Sequence, residues 1–479
     1  MPDQKIITLY EHDEKKYESI LQDIRARYGE PHGSIDKRKL QKIFLAINSH
    51  FKNQLNQGIV SNDNPDIEEK LDESKAVLEV YPNKVKARHY VGFATFGEVF
   101  VQVLPKVFKP NNNIENEDST WSSIMAFIRM LDLAYGLKIR EYDLAHLKGR
   151  KLQPNLYEIF IYLFAKSLWD EIQRGYYREY IELRSEEKFL RGKLLLSRQI
   201  RKLPHQLNNF SVEVHELIED NLLNQVFYAS IRMALGKTRW QTNKKLLGEL
   251  MLVFDGVTPI RLTREHFECV HFTRLNERFR KPFELAKLLF MPPLGGGGNR
   301  TVIGFFVDMN ELFERFIEKV LRRNISFRYD LFYQDQYLFL KSDRNNTLYQ
   351  KPDYVIKEHN IPVIVLDAKY REFKENMPSS DMARQLYVYV KILEHESIRK
   401  SKNQVRLKIP AVLIFPVSEN YNRGLKENKC LEFEFFDGAK LYVVGYDLEY
   451  LKNGRLSRHN IEFMECLAKI CPKCFKAEK

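Results

Sequence analysis

The apolar and polar positions of this 479-residue chain change rhythm twice. Up to residue 115 the pattern is that of strands: 90–96 (YVGFATF) and 98–104 (EVFVQVL) are rich in aromatic and β-branched side chains. Gly97 stands between them, where a tight turn needs a residue free to take positive φ. The polar segment 56–75 reads as an exposed loop or insertion. Beyond the polar stretch 109–120 the spacing turns helical: SIMAFIRMLDLAYGL, LYEIFIYLFAKSLWDEI and RLNERFRKPFELAKLLFM are dense enough in apolar residues for buried helices. Pro292, Pro293 and the glycines at 295–298 then mark a loop and a domain boundary.

From residue 301 strands and helices alternate. DMNELFERFIEKVLRR begins with Asp308 as N-cap and Glu311 at the capping-box spacing. Its apolar stripe is Leu312, Phe313, Phe316, Ile317, Val320 and Leu321, with Glu314 at the edge. Residues 351–371 (KPDYVIKEHNIPVIVLDAKYR) read as two strands joined at the turn-prone KEHN. A helix over 381–396 carries Gln385 and Tyr389 on one face, and IPAVLIFPV at 409–417 is another buried strand. The pattern predicts an α+β multidomain protein: a β-rich domain over 1–115, a mainly helical region over 116–300, and an α/β domain over 301–479.

Chemistry concentrates where the second strand of 351–371 ends. Side chains alternate along a strand, so Asp367 and Lys369 share a face, and a hairpin brings Asp353 towards them. Two carboxylates and a lysine suit a hard cation such as Mg2+, with Asp353 and Asp367 as oxygen ligands and Lys369 orienting the attacking water or offsetting charge on a phosphate. On the residues alone, a strand-end salt bridge is the commoner reading of Asp367 and Lys369, and a solvated edge glutamate that of Glu314. Arg399, Lys400, Lys402, Arg406 and Lys408 form a basic run that reads either as a DNA-backbone contact or as a solvated loop.

Composition narrows the partners. Lysine plus arginine (76) exceed aspartate plus glutamate (64), giving a net charge of +12, a balance that favours a phosphate-rich partner. No apolar run approaches the roughly 20 residues of a membrane span, and the N-terminus has no secretory pattern. Five cysteines in so long a chain point to a reducing, cytoplasmic setting. Cys471 and Cys474 have the half-site spacing of a zinc knuckle, with Cys466 close by, but Cys430 is the only candidate left in that region to complete four ligands. Gly236-Lys237-Thr238 has the ending of a P-loop without its glycine pattern, and the tetraglycine lacks the Lys-Ser/Thr, so no nucleotide site is expected on this chain.

The order of elements and the signature Pro352-Asp353, thirteen residues, Asp367-Ala368-Lys369 resemble the PD-(D/E)XK nuclease superfamily. That resemblance implies Asp353, Asp367 and Lys369 as catalytic, the Ala368 carbonyl as a further metal ligand, and Glu314 and Gln385 as accessory; Tyr389 joins them from the face it shares with Gln385. VGFATFGEVFVQVLPK, LRGKLLLSRQI (190–200), HELIEDNLLNQVF (215–227) and DMNELFERF, followed by that signature, look like the McrC family, the nuclease subunits of McrBC-type modification-dependent restriction systems. This second resemblance implies an Mg2+-dependent endodeoxyribonuclease for phage defence. A separate McrB-like GTPase AAA+ ring would drive it, and the N-terminal region would dock into and stimulate that ring. Arg191 and Gly192 lie in the family-like LRGK, Arg191 either as a partner contact or as a structural arginine. Self-association through the nuclease domain is left open. The alternatives are a stand-alone nuclease of repair or recombination, and a non-catalytic activator of a partner NTPase.

Overall fold

The computed structural model describes residues 5–28, 35–55, 76–110, 117–148, 152–203, 208–291, 302–342, 347–374, 377–400, 408–428, 430–453 and 460–475. The segment 56–75, residues 292–301 with their prolines and glycines, and Lys402 and Arg406 lie outside these. The chain divides into two compact units, Met1–Leu156 with Phe305–Lys479, and Tyr157–Gly304. The expected boundary near 300 sits beside this division. The one expected at 115 has no counterpart, because the N-terminal strands and the C-terminal α/β region share a unit.

The first unit begins with strands β1 (Lys5–Tyr10) and β2 (Glu14–Lys16) and helices Tyr17–Tyr28 and Lys37–Leu55. Strands β3 (Leu78–Val80), β4 (Lys84–Ala87), β5 (Tyr90–Phe96) and β6 (Val99–Leu104) follow. β5 and β6 form the expected hairpin, with Gly97 at φ 59° in its turn. β6 is buried along its whole length because β1 pairs with it in parallel on its other side. β2, β4 and β3 make a separate small sheet. Helix Glu117–Tyr135 is buried along most of its length and packs against helix Met309–Asn324 of the C-terminal region.

The second unit holds helices Leu222–Lys237, Gln241–Val253 and Arg280–Phe290, together with nearly all of helix Leu156–Gln173. It also holds a sheet that the helical reading of 116–300 did not contain: β7 (Glu179–Glu187), β8 (Lys193–Leu194) and β9 (Phe210–Ile218), in the order β7-β9-β8. No residue of β7 is buried, but β9 alternates Phe210, Val212 and Val214 and buries residues 211–214, a strand signal that the helical reading passed over. Lys237 ends a helix here, and the Thr238 hydroxyl donates to the buried Glu158 carboxylate at 2.5 Å. A P-loop would instead place this Lys-Thr pair at a helix start.

The C-terminal half of the first unit opens with β10 (Val302–Asp308), which joins the N-terminal sheet in the order β1-β6-β5-β10. Asp308 caps helix Met309–Asn324, accepting from Asn310 N–H at 2.8 Å, whereas Glu311 pairs with Arg315 at 2.9 Å instead of closing a capping box. All six residues of the predicted stripe are buried. Strands β11 (Tyr329–Tyr333), β12 (Tyr337–Lys341), β13 (Thr347–Gln350), β14 (Tyr354–Glu358) and β15 (Ile361–Ala368) follow. After helix Ser380–Lys400 come β16 (Ala411–Val417), β17 (Cys430–Glu434) and β18 (Lys440–Asp447). They build a six-stranded sheet, β11-β14-β15-β16-β18-β17, with β15, β16 and β18 parallel and antiparallel strands flanking them; β12 and β13 pair apart from it. Helix Ser380–Lys400 is the crossover from β15 to β16, and its Leu386, Val390 and Leu393 bury against Val365 and Leu413.

The C-terminal cysteines do not form a solvated tail. Cys471 and Cys474 are joined by a disulfide and buried, and the Cys474 carbonyl accepts from Ser326 N–H at 2.9 Å. A hydrogen bond with Cys466, and then burial, pushes the Cys430 thiol up from its ordinary range, so these two thiols face each other. Among the described residues no group of three histidine, cysteine or acidic side chains is arranged as a metal cage, and no helix is long and apolar enough to cross a membrane.

Candidate active site

The site is built at the ends of β14 and β15. His359 and Asn360 join the strands in a two-residue turn with φ values of 49° and 66°, the left-handed pair of a type I′ hairpin. Its register sets Tyr354 opposite Leu366, which carries Asp353 to the level of Asp367. The Ala368 amide then donates to Asp353 Oδ2 at 2.8 Å. The parallel neighbour β16 holds the other side, with Lys369 N–H donating to the Ile414 carbonyl at 2.9 Å.

Asp367 is fully buried, and apart from a 2.7 Å ion pair between Lys369 Nζ and its Oδ2, its oxygens have no hydrogen-bond partner among the described residues. A buried carboxylate costs several kcal/mol unless something compensates it, roughly. Burial and then the neighbouring charges of Asp367 and Glu314 raise the Asp353 carboxyl well above the usual range. Lys369 is held above the ordinary lysine range: burial works to lower it, and the carboxylates of Asp367 and Asp353 outweigh that effect. The cluster therefore carries more negative charge than its one lysine neutralises. An orphaned oxygen on Asp367 and two converging carboxylates fit a hard divalent cation that keeps part of its water shell.

Helix Met309–Asn324 brings Glu314 to the cluster. Tyr354 donates its hydroxyl to the Glu314 carbonyl at 2.6 Å, pinning helix to strand, and Gln334 Nε2 donates to Glu314 Oε2 at 3.2 Å. Burial first, then the charge of Asp367, pushes Glu314 up to about 7. From the crossover helix, Gln385 Nε2 donates to the Tyr389 hydroxyl at 2.7 Å, and that hydroxyl donates to the Lys351 carbonyl at 3.2 Å. Burial and the Asp367 charge raise Tyr389 above its ordinary range, so it acts as a neutral donor beside the site. Gln334 is the residue the sequence did not single out. It takes φ 51° and donates its amide to the Asp353 carbonyl at 3.0 Å, geometry that no local pattern announces.

Of the basic run, the described residues Arg399, Lys400 and Lys408 do not join the cluster. Arg399 and Lys400 end the crossover helix, about 21 Å along its axis from Gln385. There they line an open groove of about 670 Å³ with Tyr337, Phe339, Tyr387 and His395; neither Asp353 nor Asp367 lines it. Lys400 is paired with Glu396 at 2.5 Å. Lys408 lies beside Glu434 and Gly438 at the far edge of the sheet.

In the second unit the LRGK segment caps the β7-β9-β8 sheet. Arg191 pairs with Glu216 and, at 3.5 Å, with Glu187, while Gly192 takes φ 75° where a Cβ would lie 2.4 Å from the Glu213 carbonyl. Around them Phe189, Leu190, Leu196, Ile200 and Leu203 all face solvent, Phe189 and Ile200 with 81% and 80% of their surface exposed.

The profile of the McrBC 5-methylcytosine restriction system component family matches residues 85–416. Among solved structures, one chain of the refined half-complex from a tetradecameric assembly of Thermococcus gammatolerans McrB AAA+ hexamers with bound McrC is 56% identical to this chain. The match covers 97% of this chain and 100% of that one, with a TM-score of 0.74. A chain of the Thermococcus gammatolerans McrBC complex is 64% identical over 67% of this chain and 88% of its own, with a TM-score of 0.54. No curated protein matches.

Proposed function

We propose that this chain, which belongs to the McrBC 5-methylcytosine restriction family, is the subunit that cuts DNA, a Mg2+-dependent endodeoxyribonuclease of PD-(D/E)XK type working in the cytoplasm against incoming DNA. The observation that carries the reading is the convergence of Asp353, Asp367 and Lys369 at one strand end, with an unpartnered, fully buried oxygen on Asp367. Asp353, Asp367 and the Ala368 carbonyl would hold the cation, which when bound polarises the scissile phosphate and eases deprotonation of water. Lys369, fixed on Asp367, presents its ammonium to the phosphate and balances the charge that gathers there in the transition state. Gln334 and Tyr354 set the position of Glu314, and Gln385 with Tyr389 closes the opposite wall.

The partner in this reading is an McrB-like AAA+ GTPase ring. The docking role was expected of residues 1–115. Phe189 and Ile200, exposed in the connections between β7, β8 and β9, support placing it on 179–218 instead, since large apolar side chains left in water are costly unless a partner covers them. The central opening of the ring is the occupant we assign to it. DNA contact by Arg399 and Lys400 belongs to the same reading, with the groove they line as the path of the backbone. The experiment is GTP-dependent cleavage of methylated and unmethylated DNA by the chain together with its ring. Cleavage that requires both proteins, GTP and Mg2+ supports the assignment, and none under any condition overturns it.

A further inference from the structure

The segment VGFATFGEVFVQVLPK ends in Lys106, which opens a short 3₁₀ turn after β6. The carboxylate cluster does not use this lysine, yet it is largely buried and belongs to a charge cluster that spans the N-terminal sheet and the α/β region. Its ammonium lies 3.6 Å from Glu11, a carboxylate only 1% exposed that His12 Nε2 also approaches, at 3.3 Å. On its other side the ammonium stands over two rings, Tyr370 at 4.9 Å and Tyr421 at 5.8 Å from their centroids. Glu11 also faces the Tyr370 side chain.

Tyr370 is the residue after Lys369. Side-chain alternation turns it away from the carboxylate face, and its buried ring packs on Phe313 at 5.7 Å, next to Glu314 on the same helix. The loop beyond is tied down from the β16 side. Asn422 Oδ1 accepts from Phe373 N–H at 2.8 Å, and its Nδ2 donates to the Arg371 and Pro416 carbonyls. The Ser418 hydroxyl in turn donates to the Val107 carbonyl at 2.7 Å, beside Lys106. The end of β15 thus has a ring on one face gripped by a cation from a sheet some 260 positions away in sequence, roughly, and cation–ring contacts gain strength where water is excluded.

We propose that Lys106, anchored on Glu11, is a positioning residue of the phosphodiesterase site: by holding the Tyr370 and Tyr421 rings it fixes the strand end that carries Asp367 and Lys369. The proposal rests on the nuclease reading for its catalytic consequence and on the geometry alone for the positioning. It also gives the N-terminal strands a role in cutting, where the sequence led to an expectation of docking only.

The test uses the full chain with its ring and three variants: Lys106→Met, Lys106→Arg, and the charge-neutral pair Glu11→Gln with Lys106→Met, which avoids leaving a buried unpaired carboxylate. Amide exchange over 366–373 is followed by mass spectrometry, with kcat and KM for cleavage, GTPase stimulation and Tm measured in parallel. Lys106→Met and the double variant are expected to speed exchange of the Lys369, Arg371 and Phe373 amides. They should lower kcat by roughly tenfold, the size a partly desolvated cation–ring contact supports, with KM and GTPase stimulation unchanged. Lys106→Arg, which keeps a cation over the rings, should restore most of both. Unchanged exchange in the double variant overturns the proposal, as does a kcat loss that Lys106→Arg fails to rescue or that only follows Tm. If the wild type cuts nothing, the nuclease reading falls, and the exchange data still decide whether Lys106 holds the strand end.

Discussion

Ala368 N–H donates to Asp353 Oδ2 at 2.8 Å, so the middle residue of the Asp-Ala-Lys triplet aims the carboxylate contributed by the other strand. This bond favours the charged form of Asp353 against burial and two neighbouring acids, which together push its carboxyl up. One oxygen is thereby oriented while the cluster as a whole remains under-neutralised. That is the state a divalent cation would relieve, and it makes the site sensitive to both pH and metal.

Removing either carboxylate should stop cleavage without unfolding the chain. Asp353→Ala and Asp367→Ala are expected to lose activity by roughly 100-fold or more, and stimulation of the partner GTPase should persist. Lys369→Ala should remain inactive at high Mg2+, because its part is charge balance rather than ligation. Robust cutting by the Asp367 variant would sink the assignment.

The raised carboxyl of Glu314 gives stability a direction with pH. Its folded value of about 7 lies above the ordinary glutamate value of 4.5, so the folded state holds a proton that the unfolded state releases. Its contribution is full below pH 4.5 and is lost as pH rises through 7; Asp353, also raised, acts in the same sense. In EDTA the Tm should therefore fall between pH 5 and pH 8, and Glu314→Gln should flatten the decline. Added Mg2+ should raise Tm more at pH 8 than at pH 6. A Tm in EDTA that climbs over that range would contradict the charge balance described here.

A chain restricted to 301–479 is not expected to fold. It would expose Phe305 of β10, which packs edge-on against Phe93 at 5.0 Å, and it would leave Met309 N–H without the His89 carbonyl it donates to at 3.1 Å. It would also bare the face of helix Met309–Asn324 that lies against helix Glu117–Tyr135. A chain in which a short linker replaces 157–304 should fold and bind divalent cations, measured by calorimetry, and should no longer co-elute with the ring. Soluble, metal-binding 301–479 would show that the N-terminal strands are dispensable.

Placing a charge at Phe189 or Ile200 tests the docking surface. Phe189→Asp and Ile200→Asp alter exposed side chains, so their effect on stability should stay within about 0.5 kcal/mol. Co-elution with the ring and GTPase stimulation should both be lost. If the variants dock normally and substitutions within 1–115 abolish docking, the earlier placement stands.

The Cys471–Cys474 pair closes a loop with a sequence separation of 3. Replacing both with serine is expected to cost about 2 kcal/mol, from lost constraint on the unfolded chain. The purified protein should contain no stoichiometric zinc. Zinc that disappears in the double variant would restore the knuckle.

Local pattern was enough for the hairpin of β14 and β15. The apolar run of β15, the turn at His359 and Asn360 and the period-two placement of Asp367 and Lys369 are short-range matters, settled by alternation and by which residues tolerate positive φ. The buried stripe of helix Met309–Asn324 was legible for the same reason, since a 3.6-residue period records which face loses water. What lies between distant positions was not legible. The parallel pairing of β1 with β6, the entry of β10 into that sheet and the grip of Lys106 on Tyr370 depend on contacts between segments far apart in sequence, whose energy appears only once both are folded. The β7-β9-β8 sheet was missed although the β9 run FSVEVHELI alternates and buries residues 211–214; only β7, with no buried residue, left no face to record. The division into 1–115, 116–300 and 301–479 followed composition, whereas the compact units follow packing, and packing joined the first stretch of chain to the last.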